Sequence, residues 1–293
     1  MTTRTATSLT PTGLARTTRA ELFRLRRWPA FWVTVTAWLL LNAMFGYIFS
    51  FVTYTSGDSS FSNEGQTRAE LLATIVPSGL ADTLPQGMPL FGGAIMMVLG
   101  AIVAGNGYGW GTWKTVFTQG PSRAGTALGS MAALVALVAG LVVATLMTDS
   151  GMALGVAALE SQPVSWPAAG DLLQSFGGAL LVMEMWALAG YFLGTVARGP
   201  AVSVGLGLVW ALVIEGLLRG VGASLNAVAV FTHFLPGTAA GSLIGSIVGV
   251  GGPDPTPGLL DTLSGTRALV TVAVWMVALP AATLWLVRRR DVA

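Results

Sequence analysis

Of 293 residues, 53% are hydrophobic and only 10% charged, whereas a soluble domain carries about 25% charged residues. So large an apolar share has no soluble core to fill, and lipid is its natural solvent. The formal charge of +2 comes from 15 Lys plus Arg with no basic cluster interleaved with aromatics on a soluble face, which argues against nucleic acid as a partner; the lack of cysteine and the single histidine exclude disulfides, thiolate catalysis and Cys or His metal clusters.

The chain opens with an amphipathic stretch, Gly13 to Trp28. Leu14, Thr18, Leu22 and Leu25 share one helical face, and Arg16, Arg19, Arg26 and Arg27 gather opposite. It reads as an interfacial helix, with two roles open: an anchor in anionic headgroups that fixes topology, or a docking surface for a cytoplasmic partner. Trp28 and Pro29 break it, so Phe31 starts a new axis. The basic start and following apolar run resemble a signal peptide, but the run is too long and no small-residue cleavage site follows, so it is expected to remain as an anchor.

Apolar runs of roughly 17 to 25 residues cross a bilayer as helices, because lipid offers the backbone no other hydrogen-bond partners. Six such runs follow: Phe31 to Phe51, Met88 to Gly105, Ala127 to Met147, Phe176 to Ala197, Ala201 to Leu218 and Ala268 to Val287. The expected fold is an all-α polytopic membrane protein. Residues 1–30 form the interface segment, 31–287 a six-span bundle and 288–293 a short tail, with no segment between spans large enough for a separate globular domain.

With the N-terminus inside, the inner side holds Arg4, Arg16, Arg19, Arg24, Arg26, Arg27, Lys114, Arg123, Arg198, Arg288, Arg289 and Arg290, and the outer side only Arg68, Arg219 and Arg267. Positive residues stay cytoplasmic, so both termini are expected inside. Nine acids fall in the outer loops. The segment Asn226 to Val250 is apolar enough for a seventh span, but Pro236 cuts it into pieces too short to cross, and a crossing would spoil the charge split. A re-entrant outer hairpin is expected. Its Gly237, Gly241, Gly245 and Gly249 form a smooth stripe, suited to packing within the chain or to a gate or subunit contact.

The inner loop Gly105-Asn-Gly-Tyr-Gly-Trp-Gly-Thr-Trp-Lys-Thr resembles a phosphate-binding loop. The likeness fails at Trp113, where a glycine is needed directly before Lys114, and no strand precedes it. Gly111 to Phe117 instead suits a short amphipathic helix or a plain surface turn, ended by Gly120 and Pro121. Glu184 and Glu215 fall inside spans, in their outer halves, where an unpaired charge is costly. Arg219, one turn beyond Glu215, suits an ion pair; Glu184 has no such neighbour and is the better candidate to line a polar pathway. His233, beside Phe231 and Phe234, reads as a hydrogen-bonded structural histidine rather than a pH sensor. No catalytic, cofactor-binding or metal-ligating set stands out.

The sequence of features resembles the permease subunit of type-2 ATP-binding-cassette (ABC) exporters. The resemblance is carried by Glu21-Leu-Phe-Arg-Leu-Arg-Arg-Trp-Pro-Ala-Phe-Trp, by Trp110-Gly-Thr-Trp-Lys-Thr with Gly120-Pro-Ser-Arg, and by Leu235-Pro. It implies that Gly13 to Trp28 and Gly111 to Arg123 rest on a separate ABC-type ATPase subunit, with Arg24, Arg26, Arg27, Trp113, Lys114 and Arg123 as coupling residues, in a pump of two permeases and two ATPases. The chain departs from the family where members carry an acid before the Gly-Thr pair, here Asn106 and Gly107, and a Lys after the Ser-Arg, here Leu128, Gly129 and Ser130. The expected role is outward transport of an amphiphilic or lipid-like compound at the cell membrane, with no chemistry in this chain. An ion-coupled secondary transporter using Glu184 and Glu215, and a membrane scaffold, are the rival readings.

Overall fold

Prolines mark where the helices begin. A proline in the first turn loses nothing, because its missing N–H would have no partner there. In a computed structural model that describes residues 11–57, 66–109, 111–113, 115, 122–250 and 256–290, α1 (Pro11–Arg26), α2 (Pro29–Ser56), α4 (Pro77–Gly109), α7 (Pro200–Gly222) and α9 (Pro236–Val248) all start on proline. Between them lie α3 (Arg68–Ile75), α5 (Arg123–Leu159), α6 (Ala169–Ala197), α8 (Asn226–Thr232) and α10 (Gly265–Arg289). Among the described residues there is no strand. Six helices, α2, α4, α5, α6, α7 and α10, are long and apolar enough to cross a membrane, and the chain is an all-α, multi-pass membrane protein.

The helices overrun the hydropathy boundaries. The second span begins eleven residues before Met88, at Pro77, and passes through a wide π turn over Met88–Gly92. The cause is local: Pro89 has no N–H to give the preceding turn, and its ring crowds that turn's carbonyl. The third span runs past Met147 to Leu159, which carries Asp149 out of the predicted outer loop and into the bundle.

Three spans form the interior. α4 and α6 run in the same direction and approach closely at small residues, where a methyl group on Gly100 would overlap the carbonyl of Ala187 and one on Gly190 the carbonyl of Met97. Gly194 lies the same way over Ala101. Such contacts let backbones meet where lipid supplies no hydrophobic drive between helices. α5 completes this mostly buried core, while α2, α7 and α10 keep broad apolar faces outward, among them Val33, Leu206 and Val277. Those faces are suited to lipid tails.

α8 and α9 meet at 73° across a break just before Pro236. Their path is fixed by neighbours on both sides. α7 starts beside the end of α4, where Gly105 touches Pro200, so Gly222 lies at the opposite end of the bundle. α10 finishes beside the end of α6, where Arg290 donates to the Val196 carbonyl at 3.1 Å, so Gly265 also lies at that opposite end. The 226–264 segment therefore enters and leaves on one side, as a re-entrant hairpin. Its tip reaches inward to Trp275, whose Nε1 donates to the Phe234 carbonyl at 2.9 Å, ten residues into α10. His233 sits half-buried at this tip, and its ring makes no hydrogen bond among the described residues, unlike the sequence expectation.

The glycine stripe is filled from within. Gly237 faces the Glu215 carboxylate, Gly241 the Gly258 carbonyl and Leu260, and Gly245 the Leu260 carbonyl. The Leu260 N–H closes the contact by donating to the Gly241 carbonyl at 3.1 Å. Packing within the chain fills three of the four positions, and Gly249, at φ 80°, has nothing within 4 Å.

Candidate functional site: the arginine-rich end and the buried carboxylates

Of the sequence-predicted coupling residues, the described ones, Arg24, Arg26, Arg27, Trp113 and Arg123, lie at one end of the bundle. α1 lies along the first turns of α5, its Thr17 against Gly129, because a glycine there leaves room for a second helix. The amphipathic pattern is kept: Leu25 is buried and Leu22 half-buried, while Arg16, Arg19, Arg26 and Arg27 face solvent. Leu14, at the far end of the apolar face, is exposed. Arg24 is turned along its own helix and pairs with Glu21 at 2.7 Å, and Arg27 stacks 4.4 Å above the Phe23 ring. Arg26 and Arg27 thus present free outward charge on the helix, and Arg24 a neutralised one.

Arg123 and Trp113 face inward. The Arg123 guanidinium donates to the Arg290 carbonyl at 3.1 Å, tying the start of α5 to the end of α10. Trp113 is buried, its Nε1 donating to the Ala104 carbonyl at 3.3 Å and its indole lying over Gly107. The residue that spoils the phosphate-loop likeness folds the loop back onto the end of α4, beside Tyr108, Ala127 and Tyr191. Lys114 and residues 116–121 lie outside the described residues. Arg198 closes α6 in the left-handed conformation at φ 53° and belongs to the same end.

Five carboxylates lie on the membrane-spanning helices, and three of them, Glu215, Glu184 and Asp149, are buried. Glu215 is fully buried, and its Oε1 accepts from Trp210 Nε1 at 2.9 Å and from the Gly237 N–H at 3.2 Å. Arg219 stands 3.6 Å from Oε2, the ion pair its spacing predicts. Glu184 lies midway along α6 rather than toward one end, nearly buried, with no hydrogen bond or ion pair among the described residues.

The third carboxylate, Asp149, escapes the sequence reading, which places it in an outer loop. Asn42, midway along α2, donates to its Oδ1 at 2.6 Å. One turn lower, Trp38 Nε1 donates to Thr145 Oγ1 at 2.9 Å. Two pairs spaced four residues apart, Trp38 with Asn42 and Thr145 with Asp149, thereby zip α2 to α5. The signal was present in the apolar run that resumes from Met152 after Thr148, Asp149 and Ser150.

Comparison of the sequence with protein families and with characterised proteins finds no match to either.

Proposed function

We propose that this chain is the permease subunit of a two-component ABC exporter in the cell membrane, with both termini cytoplasmic and ATP hydrolysed on a separate subunit. The observation that carries the reading is the arginine-rich end. There α1, the loop around Trp113 and the start of α5 are packed into one rigid base, with Arg26 and Arg27 on its outside. A partner pressing on that base would move α5 directly, because Thr17 and Gly129 are in contact. The re-entrant hairpin between the fifth and sixth spans, on the other side of the bundle, matches the architecture of the resembled exporters, as does the order of the six spans.

The cargo would be an amphiphilic or lipid-like compound, and two permeases, identical or different, would complete the pump. Charge distribution supports the inward orientation of the arginine-rich end. An ion-coupled transporter is supported less well. Of the two carboxylates on which that reading rests, Glu215 is already engaged by Trp210, Gly237 and Arg219.

The test is affinity purification in mild detergent, followed by reconstitution with the retained subunit. Retention of an ABC-type ATPase, with hydrolysis that rises on reconstitution, is the expected result. Substrate uptake driven by an imposed ion gradient without any ATPase would overturn it.

A further inference from the structure

Asp149 Oδ2 and Tyr47 Oη are both buried without a hydrogen-bond partner. Asp149 is 0% exposed and Tyr47 1%. They belong to one seam: Asn42 holds Oδ1 of Asp149 from α2, and Tyr47 on the same helix is buried in one cluster with Ala153 and Val156 of α5. A regular helix would swing Tyr47, five residues beyond Asn42, about 140° away. The π turn at Met44–Ile48 holds an extra residue and rotates it back toward the Asn42 face.

Among the described residues no arginine, lysine or histidine lies within ion-pair distance of Asp149. The elements around it carry Arg68 and Glu70 on α3, Asp82 on α4, Asp171 and Glu184 on α6, Arg267 on α10 and Glu160 just past the end of α5. Glu160 is engaged by Tyr54 at 2.9 Å. Glu21, Tyr108, Tyr191 and the arginines of α1 lie at the arginine-rich end, where Thr17 meets Gly129, five turns of α5 away. Asp149 therefore has one neutral amide donor and no counter-charge. An ionised carboxylate so placed is strongly disfavoured, and a proton on Oδ2 removes the uncompensated charge.

We propose that Asp149 is a proton-binding site in the seam between α2 and α5, held as the carboxylic acid with the proton on Oδ2 and Oδ1 accepting from Asn42. When the seam parts, water reaches the group and takes the proton as hydronium, leaving the carboxylate; closing the seam takes one proton back. Any movement of α5 against α2 then carries one proton. The proposal does not depend on the exporter reading, and its test uses no transport assay.

The test is infrared spectroscopy of the full chain in lipid nanodiscs at neutral pH, wild type against Asp149→Asn. The wild type is expected to show a protonated-carboxyl carbonyl band, sensitive to deuterium, that the variant lacks. The variant should stay monodisperse, with its melting midpoint within about 2 °C of wild type, because an amide keeps the oxygen that accepts from Asn42. Absence of that difference band overturns the proposal. So does a wild-type midpoint that rises with sodium but not with choline, which would assign a metal cation instead. Should Asp149→Asn fail to fold, Asn42→Ala serves: loss of the donor to Oδ1 shifts the carbonyl band upward, and an unmoved band overturns the proposal.

Discussion

The carboxylate of Glu215 accepts the backbone N–H of Gly237, 22 residues further along, at 3.2 Å. One side chain thereby caps the first turn of the re-entrant helix α9 and fixes the hairpin tip to the fifth span. The bond is available only because residue 237 is glycine, since a Cβ would collide with the carboxylate. A negative group at a helix N-terminus also meets the favourable end of the helix dipole.

Replacing Glu215 by Ala should release the tip. Bonds to a charged group contribute about 1.5 to 3 kcal/mol each, and two are lost, so a destabilisation of about 3 kcal/mol is expected with some relaxation. Glu215→Gln keeps the acceptor oxygen and should cost about half as much. Thermal unfolding in detergent gives the ranking, and faster amide exchange confined to α9 would place the effect. Equal losses for the two variants would mean that the Arg219 pair dominates.

Gly190→Leu should be among the most damaging substitutions in the bundle. Its side chain would enter the Met97 and Ala101 backbone, and overpacking a tight contact costs about 1 to 3 kcal/mol or more. Gly140→Leu, where nothing lies within 4 Å, is the control and should leave the monodisperse fraction unchanged by size exclusion.

The two groups of coupling residues should separate experimentally. Trp113→Ala removes a buried indole, and aromatic-to-Ala changes in cores cost about 3 to 5 kcal/mol, so it should lower the melting midpoint. Arg26→Glu with Arg27→Glu changes exposed charge and removes one surface contact, that of Arg27 with the Phe23 ring, and should leave the midpoint within about 2 °C. On the proposed function, the same double reversal should cut ATPase retention at least about tenfold, the effect of 1.4 kcal/mol.

Glu70 supplies a pH dependence outside the spans. Thr67 donates to its carboxylate through both backbone and hydroxyl, at 2.7 and 2.8 Å, and holds the carboxyl below its ordinary value. A depressed folded-state value stabilises above the ordinary carboxylate range, and that stabilisation is lost as pH falls through the folded value. Protection factors for amide exchange across α3, which divide out the intrinsic pH dependence, should therefore fall at acid pH in the wild type. In Glu70→Gln they should not respond over that window.

Most of the site at the arginine-rich end was legible in sequence as a set of positions, because amphipathic periodicity reports which face of α1 is wet. Which arginines stay free was not. Arg24 is neutralised by Glu21, three residues before it, while Arg123 meets a carbonyl 167 residues away. Hydropathy also misplaced Asp149, since averaging a window over Thr148, Asp149 and Ser150 ends the span before the helix ends.

Run length and charge asymmetry determined six crossings and the re-entrant hairpin, because lipid imposes those rules on every residue locally and without reference to neighbours. Tertiary structure decided what each buried polar group does. Glu215 became a helix cap, the glycine stripe an internal seat, and Asp149 a member of the bundle interior, because each role depends on a partner that another helix brings within hydrogen-bond distance.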